Sequence, residues 1–136
     1  MEGLSHITFI VSDLQRMSDF LMRIFDAEEI YSSGEIEHSI AKEKFFQIGG
    51  LWIAIMEGKP LAEKTYNHVA FKIAEADYNT YAERVRSLGV EILKGRNRAA
   101  GEGKSLYFYD YDNHLFELHT GGLDQRLAYY ANATRP

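Results

Sequence analysis

The feature that most constrains the fold is an internal repeat. The segment LSHITFIV at residues 4–11 returns 62 residues later as YNHVAFKI, and LWIAIMEG at residues 51–58 resembles HLFELHTG at residues 114–121. Each first segment alternates as a strand does and is followed by helical spacing of apolar residues. The chain is therefore predicted to be a duplicated β-α-β-β-β module of the α+β class.

The repeat also sets the expected domain organisation. We expect one domain over residues 1–130, built from modules at about 1–60 and 65–122 and a short terminal helix at 124–130, with residues 131–136 as a tail. Asp13 is the expected N-cap of the first helix, and Gly89 the expected stop of the second. Strands are predicted at residues 4–11, 27–31, 39–48, 51–56, 66–73, 91–93, 105–109 and 114–119.

Composition excludes several classes of function. The net charge of −5, without a basic block, gives no electrostatic basis for binding nucleic acid. No apolar run approaches the roughly 20 residues that span a bilayer, so no membrane partner is expected. The absence of cysteine excludes disulfides and thiolate metal ligands. With no basic leader at its start, the chain is expected to be cytoplasmic.

One face of the predicted sheets gathers residues with metal-binding chemistry. If the helices cover the opposite face, alternation places these residues together: His6, Thr8, Trp52, Ala54, His68, Ala70, Tyr107, Glu117 and His119. His6 and His68 are equivalent in the repeat, and two imidazoles with one carboxylate suit a divalent metal that keeps open positions. Ala54, the equivalent of Glu117, cannot coordinate, which leaves room for a ligand other than protein.

The remaining histidines compete for this role. A lone strand histidine is more often a structural or surface residue, but two histidines at equivalent positions favour a metal site over that interpretation. His114 points with Phe116 and is expected to be structural or exposed. His119 shares the face of Glu117 but lies farther along its strand, and it is not favoured as a ligand.

Glu43 is the second carboxylate of interest. In the segment IAKEKFF at residues 40–46, alternation places Glu43 on the face of Ala41 and Phe45. Either this face lines the cavity and holds a carboxylate near the metal, or the strand is exposed and Glu43 offsets Lys42 and Lys44. The pattern alone leaves both interpretations open.

The motifs of the chain resemble a known family. The duplicated module with two first-strand histidines and a last-strand glutamate resembles the vicinal oxygen chelate superfamily, which includes the glyoxalase and bleomycin resistance proteins. More narrowly, the segments GLSHITFIV, KEKFF, YNHVAFKI, GEGKSLYFYDYDNHLFELHTG and LDQRLA resemble the fosfomycin resistance proteins, and among them the hydrolytic FosX type. The resemblance extends to about Tyr130.

This resemblance implies an assembly and a site. It implies a domain-swapped homodimer in which His6 comes from one subunit and His68 and Glu117 from the other, holding Mn²⁺ or another divalent metal. The implied substrate is fosfomycin, a small phosphonate that bears an epoxide. The residues implied or proposed to bind it are Thr8, Ser105, Tyr107, Arg126, Arg98, Asn97, Trp52 and Tyr66.

The resemblance also implies the reaction. Glu43 matches the glutamate with which the FosX type activates water, so we expect an epoxide hydrolase with Glu43 as general base. Two alternatives stay open: a thiol transferase that opens the same epoxide, and a non-catalytic module that sequesters a ligand. The basic insert at residues 94–104 departs from the potassium-binding loop of the glutathione-using relatives, and the intact metal set argues against a sequestering module.

Overall fold

A computed structural model describes residues 1–95, 98–99 and 101–133. Its internal contacts divide the chain into two compact units. The first contains Met1–Thr65 and Asp110–His114, and the second contains the described parts of Tyr66–Tyr109 and Leu115–Pro136. Along the described residues, no helix combines the length and the apolar character that crossing a bilayer requires.

The first unit is a four-stranded sheet with one helix. Its elements are β1 (His6–Val11), α1 (Leu14–Phe25), β2 (Glu28–Ser32), β3 (Glu43–Ile48) and β4 (Leu51–Glu57). The strand order is β1-β4-β3-β2, and β1 runs parallel to β4 while the other pairs are antiparallel. This arrangement is the predicted β-α-β-β-β module.

Helix α1 begins and packs as its sequence predicts. The Asp13 carboxylate accepts a hydrogen bond from the backbone N–H of Arg16 at 3.0 Å, which satisfies one of the free donors of the first turn and confirms the predicted cap. The face that α1 turns inward is fully buried and contains Met17, Phe20, Leu21 and Ile24. This apolar face stabilises the unit because it packs against the sheet.

The second unit repeats the module with a smaller sheet. Its elements are β5 (His68–Lys72), a 3-10 turn (Glu75–Asp77), α2 (Tyr78–Ser87), β6 (Ser105–Tyr109), β7 (Leu115–His119) and α3 (Leu123–Ala133). The strand order is β5-β7-β6, with β5 parallel to β7 and β6 antiparallel to it. Leu106, Phe108, Phe116 and Leu118 bury one face, which leaves the other face for polar side chains.

The turn between β6 and β7 groups with the first unit. Asp112 accepts hydrogen bonds from the backbone N–H and the hydroxyl of Ser12, at 3.1 and 2.6 Å. The Asp110 carboxylate lies 2.7 Å from Nδ1 of His114, whose ring meets Phe9 edge-on. These contacts give His114 a structural role, one of the two that its position predicted.

Several boundaries differ from those predicted. The strand expected over residues 39–48 begins only at Glu43, because the ladder starts where Ser33 and Glu43 exchange hydrogen bonds. The strand expected at 91–93 is reduced to a single bridge between Leu93 and Tyr107. Helix α3 continues to Ala133, so residues 131–133 are helical rather than part of a tail, and residues 134–136 lie outside the described part.

Candidate metal centre and anion site

Two predicted metal ligands meet in the second unit. Nε2 of His68 lies 3.1 Å from Oε1 of Glu117, across the parallel pair β5 and β7. The other ring nitrogen, Nδ1, lies 2.7 Å from the carbonyl oxygen of Tyr66, so it carries the hydrogen. This bond leaves a lone pair on Nε2, which is the state in which histidine binds a metal.

The second oxygen of Glu117 is held by the protein. Oε2 accepts a 2.6 Å hydrogen bond from the Ser105 hydroxyl and lies 3.9 Å from a guanidinium nitrogen of Arg98. Burial favours a raised pKa for Glu117, but hydrogen bonds from Ser105 and Tyr107, with the nearby imidazoles, lower its pKa below the ordinary value. Glu117 is therefore a carboxylate although it is buried between apolar neighbours.

Tyr107 joins the carboxylate to an arginine and a second tyrosine. Its hydroxyl lies 3.3 Å from Nη2 of Arg98 and 3.3 Å from the hydroxyl of Tyr66. Burial, the bond with Tyr66 and the charge of Glu117 raise the pKa of Tyr107 to about 12. Tyr107 thus keeps its proton and can serve as a hydrogen-bond donor near neutral pH.

His119 also belongs to this cluster. Nδ1 of His119 lies 2.8 Å from the Ser105 hydroxyl, and Nε2 lies 3.4 Å from Nη2 of Arg126. Burial and the positive charges of Arg126 and Arg98 lower the pKa of His119, against the opposing effect of Glu117. Alternation along β7 predicted that His119 shares the face of Glu117. The contacts of His119 with Ser105 on β6 and Arg126 on α3 were not predicted.

A cavity of about 380 Å³ opens beside this cluster. Its wall includes Glu75, Tyr78, Arg98, Lys104, Ser105 and Tyr107. Three of these residues, Arg98, Ser105 and Tyr107, were predicted to bind substrate. Lys104 was also a candidate donor for an anionic ligand. Tyr78 was not predicted, because its approach depends on how α2 packs. A second, more apolar cavity of about 270 Å³ is bounded by Tyr66, Tyr107, Tyr109 and Leu115, among others.

Two arginines present buried N–H groups without partners. Among the described residues, neither Nη1 of Arg98 nor Nε of Arg126 has a hydrogen-bond partner. A buried N–H group without a hydrogen-bond partner costs free energy. The N–H groups of a guanidinium are best satisfied by an anion that offers several oxygens. The cluster can therefore bind a phosphonate, phosphate or carboxylate group.

The other predicted site residues lie on one face of the first sheet. The β1–β4 register pairs His6 with Trp52 and Thr8 with Ala54. The rings of His6 and Trp52 are in contact, with centroids 4.1 Å apart and planes tilted by 31°, and Nδ1 of His6 lies 3.0 Å from the Ser5 hydroxyl. This contact leaves Nε2 of His6 as the nitrogen that could coordinate a metal.

The register of β3 removes the ambiguity about the face of Glu43. Phe45 pairs with Ala54, and Glu43 pairs with Met56, so Glu43 shares the face of Thr8 and His6. The residue is half-buried. Its backbone N–H donates to the Ser33 hydroxyl at 2.9 Å, which fixes the first residue of the strand.

Comparison with known proteins places this geometry in a family. Residues 3–118 match the Glyoxalase/Bleomycin resistance protein/Dioxygenase superfamily. The fosfomycin resistance protein FosX of Listeria innocua is 61% identical over 96% of this chain and 98% of its own length. The chain belongs to the FosX family.

A solved structure supports the family assignment. A FosX variant from Listeria monocytogenes, complexed with Mn(II) and 1S,2S-dihydroxypropylphosphonic acid, is 58% identical. It superposes with a TM-score of 0.87 over 96% of this chain and 98% of that chain. The metallothiol transferase FosB of Bacillus licheniformis is more distant, at 37% identity over 96% of this chain and 82% of its own. The predicted glyoxalase fold and FosX relationship are thus confirmed.

Within this family fold, the predicted metal set is divided between the two sheets. His68 and Glu117 lie in the second sheet, whereas His6 lies in the first, so within the described residues the backbone pairing brings together two of the three predicted ligands. In the part of the chain that the structure describes, no three His, Cys, Asp or Glu side chains are grouped so as to hold a metal ion together. Asn97, a predicted phosphonate ligand, lies outside the described residues.

Proposed function

We propose that this chain is a Mn²⁺-dependent hydrolase that adds water to the epoxide of fosfomycin. One observation carries the proposal. The FosX structure with a TM-score of 0.87 holds Mn(II) and a dihydroxypropylphosphonic acid. Two hydroxyls on adjacent carbons of a propylphosphonate are what remains when water opens an epoxide on that skeleton. The observed cluster of two partly buried arginines, two imidazoles and a buried carboxylate suits such a metal and such an anion.

The donor atoms of the second unit fit a divalent cation. Nε2 of His68 and Oε1 of Glu117 both present lone pairs at a separation of 3.1 Å. Two lone pairs that face each other repel. A cation bound by both atoms replaces this repulsion with two favourable bonds. When bound, Mn²⁺ supplies Lewis-acid stabilisation of the negative charge that develops on the epoxide oxygen. His6 is proposed as the third protein ligand.

His6 is proposed to reach the site from a second copy of the chain. It lies in a different sheet from the other two ligands, and no three such side chains are grouped within the described part of one chain. A homodimer in which His6 of one subunit joins His68 and Glu117 of the other completes the set, as the family resemblance implies. The cytoplasmic location expected from the sequence stays a prediction.

The phosphonate is proposed to bind at the two arginines. Arg98 and Arg126 offer buried N–H groups that have no partner among the described residues, and Tyr107 keeps its proton. Charge-assisted bonds from a guanidinium to a phosphonate fix both the position and the orientation of the reacting carbon. Thr8, Trp52 and Tyr66 complete the proposed substrate-binding set, whereas the hydroxyl of Ser105, which the resemblance implied as a ligand, donates to Glu117.

Glu43 is proposed to activate the water. It lies half-buried on the same face as His6 and Thr8. As the water oxygen bonds to an epoxide carbon, the carbon–oxygen bond of the ring breaks and Glu43 accepts a proton from the water. The opened oxygen later gains a proton, so the diol contains fosfomycin plus one water molecule.

Product analysis by phosphorus NMR tests this function. The protein is mixed with Mn²⁺ and fosfomycin, first with water alone and then with glutathione or cysteine added. A hydrolase gives the diol at the same rate in every mixture. A product that forms only with thiol would reject hydration and favour a thiol transferase, and unchanged fosfomycin in every mixture would favour a sequestering module.

A further inference from the structure

We propose that His119 is a positioning residue that, as its Nδ1–H tautomer, holds the Ser105 hydroxyl on Glu117 and thereby leaves only Oε1 of Glu117 for the metal. The inference rests on the proposed function, because it takes Glu117 as a metal ligand. It assigns a role to a histidine that the proposed mechanism does not use. It also makes Ser105 a group committed to the carboxylate before any substrate binds.

The direction of the hydrogen bonds follows from the chemistry of the three groups. The Ser105 hydroxyl has one hydrogen and lies 2.6 Å from Oε2 of Glu117. Because a carboxylate can only accept, that hydrogen points to Glu117. Nδ1 of His119 lies 2.8 Å from the same hydroxyl oxygen, so Nδ1 must be the donor in this second bond.

The contact at the other ring nitrogen of His119 indicates the same tautomer. Nη2 of Arg126 lies 3.4 Å from Nε2 of His119. A guanidinium only donates, so Nε2 must present a lone pair and cannot carry a hydrogen. The bonds therefore run in one direction, from Arg126 through His119 and Ser105 to Glu117. Bonds aligned in this way polarise one another, which strengthens the last bond to the carboxylate.

Two glycines shape the slot that holds the ring. A Cβ atom added at Gly121 would lie 2.8 Å from Nε2 of His119. A Cβ atom added at Gly103 would lie 3.2 Å from Cε1 of His119 and 3.0 Å from the backbone nitrogen of Gly121. These distances are shorter than ordinary van der Waals contacts, so a side chain at either position would press on the ring of His119. The ring is thus fixed by packing as well as by its hydrogen bonds.

The consequence for the metal site is that Glu117 is oriented before the metal arrives. Oε2 is occupied by Ser105, while Oε1 faces Nε2 of His68 at 3.1 Å. Groups that hold a ligand by hydrogen bonds typically change metal affinity 10- to 100-fold when they are removed. Nδ1 of His119 lies 3.5 Å from Oε2 itself and 2.8 Å from the Ser105 hydroxyl. We expect His119 to act through the shorter of these two contacts, the bond to Ser105, and to change metal affinity within this range without touching the metal or the substrate.

The tautomer is tested by nitrogen NMR of protein labelled with ¹⁵N-histidine, with diamagnetic Mg²⁺ in place of Mn²⁺. The signals of His119 are identified by their loss in His119→Asn. We expect Nδ1 to carry the hydrogen and Nε2 to carry none. A hydrogen on Nε2 would overturn the proposal, because Arg126 and His119 would then be two donors facing each other.

The effect on the metal is tested by Mn²⁺ binding, followed by the electron paramagnetic resonance signal of free Mn²⁺. His119→Phe keeps a ring but no N–H, and its affinity should fall about 10- to 100-fold. His119→Asn keeps an N–H near the position of Nδ1 and should stay within about threefold of wild type. The control, His114→Asn, removes a partly buried histidine outside the site and should not alter affinity.

A double variant tests whether His119 acts through Ser105. Ser105→Ala with His119→Phe should bind Mn²⁺ as weakly as Ser105→Ala alone. If the two losses of Mn²⁺ affinity multiplied in the double variant, the inference would be overturned. Wild-type affinity in His119→Phe would overturn it as well. If His119→Phe does not fold, the tautomer of His119 in the wild type and the Mn²⁺ affinity of His119→Asn still test the proposal. A wild type that binds no Mn²⁺ would overturn the proposed function, and the inference that rests on it.

Discussion

His68 and Glu117 face each other through two atoms that both present lone pairs. Nε2 of His68 is 3.1 Å from Oε1 of Glu117, while Nδ1 donates to the carbonyl of Tyr66 at 2.7 Å. Neither atom satisfies the other unless a proton or a cation lies between them. The pairing of β5 with β7 thus brings together the side chains of two of the three proposed metal ligands, which form a half-site in the second unit.

Replacement of Glu117 tests this half-site directly. Glu117→Ala removes the carboxylate that faces His68 and should weaken Mn²⁺ binding at least about 100-fold, beyond the effect typical of groups that only support a ligand. Isothermal titration calorimetry measures the affinity. Glu75→Gln, a carboxylate on the cavity wall that does not contact His68, is the matched control and should bind Mn²⁺ as the wild type does.

Subunit mixing tests whether His6 is supplied by a partner. His6→Ala and His68→Ala should each be inactive. In a mixed dimer of the two variants, one site carries both changes and the other carries neither. Random exchange should then restore about a quarter of the wild-type sites, since half of the dimers are mixed and each has one intact site.

The same experiment distinguishes a site built within one chain. In that case every site in the mixture carries one of the two changes, and no activity returns after mixing. A mixture of His6→Ala with Glu117→Ala should behave as the first mixture does. A mixture of His68→Ala with Glu117→Ala is the control that should stay inactive, because both changes fall in one subunit's share of the site.

Arg126 provides a test of the anion site. Arg126→Met removes a guanidinium whose buried Nε has no partner among the described residues. A hydrogen bond to a charged group contributes about 1.5–3 kcal/mol, so the KM for fosfomycin should rise about 10- to 150-fold. Arg86→Met, on the exposed side of α2, is the control and should leave the KM unchanged.

The fold was predictable because its signals are local. The alternation of the strands and the Asp13 cap each depend on neighbouring residues, and the return of the same local pattern 62 residues later located both modules. The start of β3 was not predictable, because it depends on bonds between Glu43 and Ser33 across a loop. The bridge at Leu93 replaced a strand for the same reason, since pairing with Tyr107 decides its length.

The sequence predicted which side chains share a face of the sheet, but not which of them are in contact. Alternation placed His68, Glu117 and Tyr107 on one side of their sheet, and the register agrees. It could not indicate that Ser105 is bonded to Glu117, or that Arg126 reaches His119 from α3. Those contacts depend on distances between elements, which no residue pattern contains.

Glu43 is proposed to activate the water that attacks the epoxide. Glu43→Gln keeps the size and most of the hydrogen bonding of the side chain but cannot accept the proton. Loss of a general base typically slows a reaction about 10²- to 10⁴-fold. Mn²⁺ affinity should change little, since Glu43 is not a proposed ligand. Glu37→Gln, an exposed carboxylate before β3, is the control.

The most direct measurement is the rate of diol formation by Glu43→Gln, followed by phosphorus NMR in the presence of Mn²⁺ and without thiol. The proposed mechanism predicts a rate at least about 100-fold below that of the wild type, with Mn²⁺ affinity retained. Diol formation at the wild-type rate would contradict it, because water would then be activated without Glu43.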